Sequence, residues 1–209
     1  MKPLLCLAGI SLAAFIHAAE TQPIVGIWLM GQSLCDGSES LPLVTPKDTG
    51  FGNYAFKRGV RTWLPKDNSL TPEKRPEEQF ALVPLTAQAN GGLGETVANG
   101  LADHLSSALR SDNKPVPHHL VACAGQGGRQ IQELSRADLS NDPRTPESRK
   151  HGGGYYLTSL DDARRAMQQA KSRGTTFRIG ALYWMQGEGN GGPTGGIMPT
   201  RWDAELPRR

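Results

Sequence analysis

Apolar residues form short continuous runs along this chain, and longer stretches with helical periodicity lie between them. The run over 24–30 predicts a buried strand, and the runs over 118–122 and 177–184 predict two more. Hydrophobic residues recur at helical spacing over 94–110 and 155–173, which predicts two amphipathic helices between these strands. Strands that are joined through helices form right-handed crossovers and a parallel sheet, so the pattern predicts an α/β fold.

Each predicted helix carries an apolar stripe that we expect to face the sheet. The stripe of the first helix is Leu93, Val97, Leu101, Leu105 and Leu109. The stripe of the second helix is Leu157, Leu160, Ala163, Met167 and Ala170. Residues 37–84 have little periodicity and many Pro, Gly, Asp and Asn, which predicts a long loop around the domain that can include short strands. We interpret Trp184 as a core residue.

Composition limits the architecture and the function classes. The chain has 209 residues, 37% of them hydrophobic, with 25 Gly and 15 Pro, which predicts one loop-rich globular domain. The net charge is +3, and the Lys and Arg residues are scattered rather than gathered into a stripe with aromatic side chains. This distribution argues against a nucleic-acid partner.

The first 19 residues have the pattern of a secretory signal peptide. A basic start at Lys2 is followed by an apolar stretch over 4–16 and by small residues over 18–19. We therefore expect a signal peptide over 1–19, a single domain over 20–209, and a secreted or periplasmic location. No other segment is long and apolar enough to predict a membrane span, so we expect no membrane association after cleavage.

Two cysteines remain after cleavage, Cys35 and Cys123, and each follows the end of a predicted strand. Neighbouring parallel strands would bring them close, and export permits a disulfide. The alternative is a pair of buried free thiols. The sequence leaves both possibilities open.

Chemically distinctive residues follow the predicted strands. Ser33 comes directly after the first strand, a glycine-rich turn over 125–128 follows the second, and Gln186 follows the third. Ligands of open α/β sheets bind at the carboxyl ends of the strands, so we expect a site at that edge. Ester hydrolysis needs a nucleophile and hydrogen-bond donors for the oxyanion. Ser33 can be the nucleophile, and the backbone N–H groups of Ser33 and Gly94 and the side-chain amide of Gln186 can be the donors.

These segments match the motifs of a known family, in the same order along the chain. They are Gly31-Gln32-Ser33, the Gly92-Leu93-Gly94-Glu95 segment, the 123–131 segment, and Trp184-Met185-Gln186-Gly187-Glu188. The series resembles the SGNH-type hydrolases, in particular the branch of sialate O-acetylesterases and carbohydrate esterase family 6. The resemblance extends from about residue 24 to residue 188.

The resemblance implies a flavodoxin-like three-layer sandwich with a central parallel sheet, and an enzyme that removes acetyl groups from carbohydrates. It implies Ser33 as the nucleophile, Gly94 and Gln186 at the oxyanion, an acetylated carbohydrate as the partner, and no metal or cofactor. We expect Gln32, Trp63 and Glu188 to contact the sugar, although Trp63 is equally suited to simple packing and Glu188 to ordering its loop. The oligomeric state is left open.

The chain also departs from the family pattern. Leu34 replaces the usual Asn, Glu95 replaces the usual Pro, and Asn190 stands where Asp is common. More importantly, no histidine has an Asp three positions before it, whereas the family takes its acid and base from an Asp-x-x-His segment near the C-terminus. We therefore expect a C-terminally incomplete domain with an uncovered sheet edge, poor solubility or self-association, and uncertain activity.

Two other functions remain open from the sequence. A non-catalytic carbohydrate-binding domain on the same fold would keep the crevice without turnover. A nucleotide-binding flavodoxin-like protein would use the 125–128 turn for phosphate, but the chain lacks both the P-loop motif and the full dinucleotide spacing.

Overall fold

The computed structural model describes residues 22–38, 40–44, 47–61, 75–87, 94–128, 131–134 and 154–186. The strands in these ranges are β1 (Ile24–Gly31), β2 (Tyr54–Phe56), β3 (Leu82–Pro84), β4 (His118–Cys123) and β5 (Phe177–Met185). The α-helices are α1 (Ser33–Asp36), α2 (Val97–Ser111), α3 (Ile131–Leu134) and α4 (Gly154–Ser172). A 3₁₀ helix covers Glu77–Phe80.

The five strands form one mixed sheet in the order β3-β2-β4-β1-β5. β2, β4, β1 and β5 run parallel, and only β3 is antiparallel to its neighbour β2. The α/β prediction is therefore confirmed. β1 lies between β4 and β5, so the strand that leads into Ser33 is central among the parallel strands.

Side chains of the parallel strands alternate between two core clusters, one on each face of the sheet. One cluster includes Ile27 and Leu29 of β1, and Leu101 and Leu105 of α2 pack against it. The other includes Ile24 and Trp28 of β1 together with residues of α4 such as Ala166. Period-two alternation in a strand that is buried on both faces explains why β1 reads as an unbroken apolar run. The sheet consequently has a helix on each side.

α2 begins three residues later than predicted, and its most buried face is displaced from the predicted stripe. The buried residues are Ala98, Asn99, Ala102 and Ser106, whereas Val97 is exposed. Thr96 precedes the helix in an extended conformation, and its hydroxyl is paired with Asn99 Oδ1 at 2.9 Å. Small and hydrogen-bonded residues therefore make the close approach to the sheet, while Leu101 and Leu105 pack beside them.

α4 also buries a different face from the one predicted. Leu157 is 49% exposed and Met167 is 58% exposed, so these two members of the predicted stripe face away from the core. The buried residues are Tyr155, Thr158, Ser159, Asp162, Ala166 and Ala170. The hydrophobic periodicity predicted the wrong face because a polar network, and not only apolar packing, decides which side of α4 is buried. Buried Arg75 pairs with Asp162 at 2.6 Å and with Asp161 at 2.5 Å.

The predicted long loop over 37–84 contains regular structure that joins the sheet. β2 pairs with β4, and β3 pairs with β2, which extends the sheet beyond β4. Phe80, the last residue of the 3₁₀ helix, is buried, and the guanidinium groups of Arg58, Arg75 and Arg165 lie 5.5, 5.0 and 4.4 Å from the centre of its ring. Cations over an aromatic face are favourable, so this segment is fastened to α4 by charge as well as by packing.

β5 is an edge strand of the described sheet, and most of its residues are exposed. Leu182 is 62% exposed and Trp184 is 38% exposed, so the interpretation of Trp184 as a core residue was wrong. Trp184 lies on the outermost strand of the described sheet. The expectation of an uncovered sheet edge concerns the segment after residue 186, which lies outside the described residues, and it stays a prediction.

The predicted signal peptide lies outside the described residues. In the part of the chain that is described, no helix combines the length and the apolar character needed to cross a bilayer.

Candidate active site

Ser33 lies where β1 ends, at the carboxyl edge of the parallel sheet. Gly31 is the last residue of β1 and has φ +143°, and the backbone N–H of Gln32 donates to the Met185 carbonyl oxygen at 2.9 Å. The chain then turns at once into α1, which begins at Ser33 and ends at Gly37 in the left-handed conformation. Ser33 is half-buried, so its side chain is not lost in the interior.

Gln186 is the residue directly after β5, the strand that pairs with β1. Gly31 pairs with Met185 in the parallel register, so Gln32 and Gln186 leave the sheet side by side. Neighbouring strands lie about 4.8 Å apart. The two segments that the sequence singled out, 31–33 and 185–186, therefore meet at one edge, and Gln186 is half-buried there.

The turn over 124–128 is the third segment at this edge. It continues along the end of β1, because Ala124 N–H donates to Leu29 O at 2.8 Å and Gln126 N–H donates to Gly31 O at 3.0 Å. Its glycines permit close contact. A Cβ at position 125 would lie 3.0 Å from Cys35 Sγ, and one at position 127 would lie 3.8 Å from Ser33 Cβ. The turn thus forms one wall beside Ser33.

Gly94 is buried near the same region, but its backbone groups have protein partners. Its N–H donates to Gly37 O at 2.7 Å, and its carbonyl oxygen accepts a hydrogen bond from Arg61 Nη2. The Gly94 N–H, which we expected to face an oxyanion, therefore donates its hydrogen bond to the turn after α1. A role at the oxyanion requires that this hydrogen bond open.

Asp36 and Arg61 are polar residues of this site that sequence reasoning missed. Asp36 is 2% exposed, and its carboxylate accepts hydrogen bonds from Gly127 N–H at 2.8 Å and from Ser38 Oγ at 2.9 Å. Arg61 is also buried, and its Nε donates to the Asp36 carbonyl oxygen at 2.8 Å. Burial raises the pKa of Asp36, and the hydrogen bonds and the Arg61 charge oppose that rise. No sequence motif marks these two residues, because their partners lie far away along the chain.

Cys35 and Cys123 are free, buried thiols in contact, with their sulfur atoms 3.7 Å apart. Of the two possibilities left open by the sequence, the structure contains the reduced pair. The hydrogen bond with Cys123, and then burial, raise the pKa of the Cys35 thiol. Neither sulfur is exposed, so the pair packs beneath the 124–128 turn rather than lining the site.

His118 and His119 lie at the amino end of β4, away from Ser33. Ile24, at the start of β1, pairs with His118, which puts these residues about 20 Å from the end of β1 at 3.3 Å per residue. His119 is buried in a polar network, with Nδ1 at 3.0 Å from Ser106 Oγ and 3.1 Å from Asn53 Oδ1. His104 is exposed on α2. Neither His118 nor His119 can reach the Ser33 hydroxyl.

Two predicted site residues, Trp63 and Glu188, lie outside the described residues, and their roles stay predictions. Gln32 is buried beside Ser33, at the junction with β5. Within the described ranges, no group of three or more His, Cys, Asp or Glu side chains is arranged to hold a metal ion.

No protein-family model matches this chain, and no curated protein matches it at a significant level.

Proposed function

We propose that this chain is a serine esterase that removes O-acetyl groups from carbohydrates, with Ser33 as the nucleophile. The observation that supports it is the meeting of Ser33 and Gln186 at the carboxyl ends of the parallel neighbours β1 and β5. A neutral carboxamide supplies two N–H donors to a developing oxyanion.

The proposed reaction has two steps. The Ser33 hydroxyl attacks the acetyl carbonyl while its proton passes to a base, which we place outside the described residues, and that base gives the proton to the departing sugar oxygen so that the sugar leaves as an alcohol. A water molecule then attacks the acyl-enzyme and gives a proton to the same base, which returns it to the Ser33 oxygen as acetate leaves. The Ser33 backbone N–H and the Gln186 side chain stabilise the oxyanion in both steps. Gly94 joins them only if its hydrogen bond to Gly37 opens, so the proposal depends on the first two donors.

We also propose the finer fold and location that the sequence predicted. The order β4-β1-β5, with α2 on one face and α4 on the other, supports a flavodoxin-like three-layer sandwich of the SGNH type. The basic start and apolar stretch of residues 1–19 support export.

Release of acetate from p-nitrophenyl acetate by the full chain tests the esterase proposal. Ser33→Ala should remove turnover, whereas Ser107→Ala, on the exposed surface of α2, should leave it unchanged. Gln186→Ala should lower kcat by about 10²- to 10³-fold, the usual effect of losing one oxyanion donor. Equal rates for the unchanged chain and Ser33→Ala would contradict the esterase proposal.

A second candidate is a carbohydrate-binding domain without turnover. Within the described ranges, the position of His118 and His119 at the far end of β4 favours it, because neither histidine can act as a base for Ser33 and a serine without a base is a poor nucleophile. This candidate predicts that an acetylated xylo-oligosaccharide or an O-acetylated sialic acid binds in calorimetry while acetate release equals that of Ser33→Ala.

A further inference from the structure

Asp36 is a buried carboxylate beside Ser33 that the proposed reaction does not use. It lies at the end of α1, one helical turn after Ser33, and it is 2% exposed. Removing a carboxylate from water is unfavourable unless hydrogen bonds replace the lost solvation. Here the carboxylate accepts hydrogen bonds from Gly127 N–H at 2.8 Å, Ser38 N–H at 3.2 Å and Ser38 Oγ at 2.9 Å.

The bond to Gly127 acts on the wall that faces the proposed nucleophile. A Cβ added at position 127 would lie 3.8 Å from Ser33 Cβ and 3.9 Å from Ser33 Cα, which is ordinary van der Waals contact, so the Gly127 backbone lies about one methyl group away from Ser33. β1 holds this turn through Ala124 and Gln126. After Gln126, the turn is held by the hydrogen bond from Gly127 N–H to the Asp36 carboxylate.

Arg61 connects the same helix end to a third segment. Its Nε donates to the Asp36 carbonyl oxygen at 2.8 Å, and its Nη2 donates to the carbonyl oxygen of Gly94. Asp36 and Arg61 together therefore link three segments that converge near Ser33, namely 33–38, 94–96 and 124–128. These segments are far apart in the sequence, so the links are tertiary rather than local.

We infer that Asp36 is a positioning residue whose carboxylate holds the Gly127 turn beside Ser33 and so sets the distance between that turn and the Ser33 side chain. The contact itself is independent of the reaction, but its effect on turnover rests on the proposed esterase function. A carboxylate that served only stability would change the unfolding midpoint without changing kcat of the folded protein.

The experiment compares Asp36→Ala with Ser38→Ala in the full chain. Ser38→Ala removes the hydroxyl that bonds to Asp36 and leaves the Gly127 contact in place, so it is the matched control. Amide exchange at Gly127, followed by NMR, should be at least about tenfold faster in Asp36→Ala and unchanged in Ser38→Ala. With p-nitrophenyl acetate, kcat should fall about 10- to 100-fold in Asp36→Ala, with a smaller change in KM.

Asp36→Asn gives an intermediate case. It keeps an acceptor oxygen but loses the charge, and hydrogen bonds to charged groups are roughly twice as strong as neutral ones. Its Gly127 exchange and its kcat should lie between those of the unchanged chain and Asp36→Ala. If Asp36→Ala does not fold, the comparison of Asp36→Asn with Ser38→Ala carries the test, and equal exchange in those two variants would overturn the inference.

The outcomes separate this inference from the proposed function. Unchanged Gly127 exchange in Asp36→Ala overturns the contact, and faster exchange with unchanged kcat overturns the positioning role. If the unchanged chain and Ser33→Ala release acetate equally, the esterase proposal fails, and the effect of Asp36 on turnover fails with it. Gly127 exchange then still decides whether Asp36 holds the turn.

Discussion

Replacing Gly31 with alanine tests the junction that brings Ser33 and Gln186 together. Gly31 is the last residue of β1 and has φ +143°, a conformation that L-residues with a side chain rarely adopt. An added Cβ would lie 2.5 Å from the carbonyl carbon of Met185 and would overlap its oxygen. Both obstructing atoms belong to the β5 backbone, so no side-chain rotation can relieve the clash.

The expected cost has two parts. A strained backbone conformation costs about 1–3 kcal/mol, and forcing an extra methyl group into a packed region costs about 1–3 kcal/mol more. Gly31→Ala should therefore lower the free energy of unfolding by about 2–6 kcal/mol. For a chain of this size, that corresponds to a fall in Tm of roughly 4–24 °C.

Two other glycines separate these contributions in urea unfolding experiments. Gly128 has φ +71° with nothing within 4 Å of an added Cβ, so Gly128→Ala should show only the conformational cost of about 1–2 kcal/mol. Gly100 lies inside α2, also in open space, and Gly100→Ala should stabilise the protein by about 0.5–1 kcal/mol. The same chemical change is thus expected to act in opposite directions at positions 31 and 100.

Esterase activity is the second measurement that tests the effect of Gly31→Ala. The clash can be relieved only by moving β1 and β5 apart, which also separates Ser33 from Gln186. Turnover per folded molecule should therefore fall even at temperatures where the variant remains folded. An unfolding midpoint equal to that of the unchanged chain, with Gly100→Ala behaving as expected, would refute the close β1–β5 junction.

Three further predictions concern stability and association. Arg75→Met should cost about 3–5 kcal/mol in urea unfolding, because it leaves buried Asp162 without this cation, and a cost below about 1 kcal/mol would contradict the buried pair. Burial, and then the charge of His118, lower the pKa of His119, while Asp103 opposes the shift. The unfolded chain therefore binds a proton at His119 more readily than the folded chain, so the free energy of unfolding should fall as the pH drops below about 6.5. In unfolding midpoints measured across pH, His119→Asn should show a weaker dependence on pH than the unchanged chain. Leu182→Lys, on exposed β5, should reduce self-association in light scattering with a stability change within about 0.5 kcal/mol, and strong destabilisation would show that Leu182 is buried.

The strands were the most predictable part of the fold. β1, β4 and β5 match the predicted runs to within one residue at each end, because strands buried in a parallel sheet need apolar side chains on both faces. The apolar run over 177–184 marked a strand correctly but could not show that β5 lies at an edge. A strand lies at the edge of the described sheet when only one other strand pairs with it, and the residues of the strand itself do not show how many strands pair with it.

The helix faces and the start of α2 could not be read from periodicity. α4 buries Asp162 because Arg75, far away in the sequence, neutralises it. α2 begins after Thr96 because Gly94 is held by a backbone bond to Gly37, which keeps the preceding residues out of the helix. Both effects come from long-range polar contacts, whereas periodicity reports only local amphipathicity.

The candidate site was partly predictable for a topological reason. Ser33 and Gln186 each follow a strand, and the carboxyl ends of parallel neighbours must meet, so their proximity follows from the fold. Asp36 and Arg61 act through backbone groups of Gly127 and Gly94, and the sequence carries no signal for such pairings.

The central place of β1 in the sheet has a consequence for the order of folding. Residue 24 pairs with residues 118 and 177, which come much later in the chain. The strand that leads into Ser33 is therefore synthesised before both of its neighbours, and β5 is the last of them to be made. At about 5–20 residues per second, this segment waits roughly 8–30 seconds for the β5 segment to be made. During that interval its unbroken apolar sequence is a natural substrate for chaperones, and a pause in translation between β4 and β5 would prolong the period in which it needs their protection.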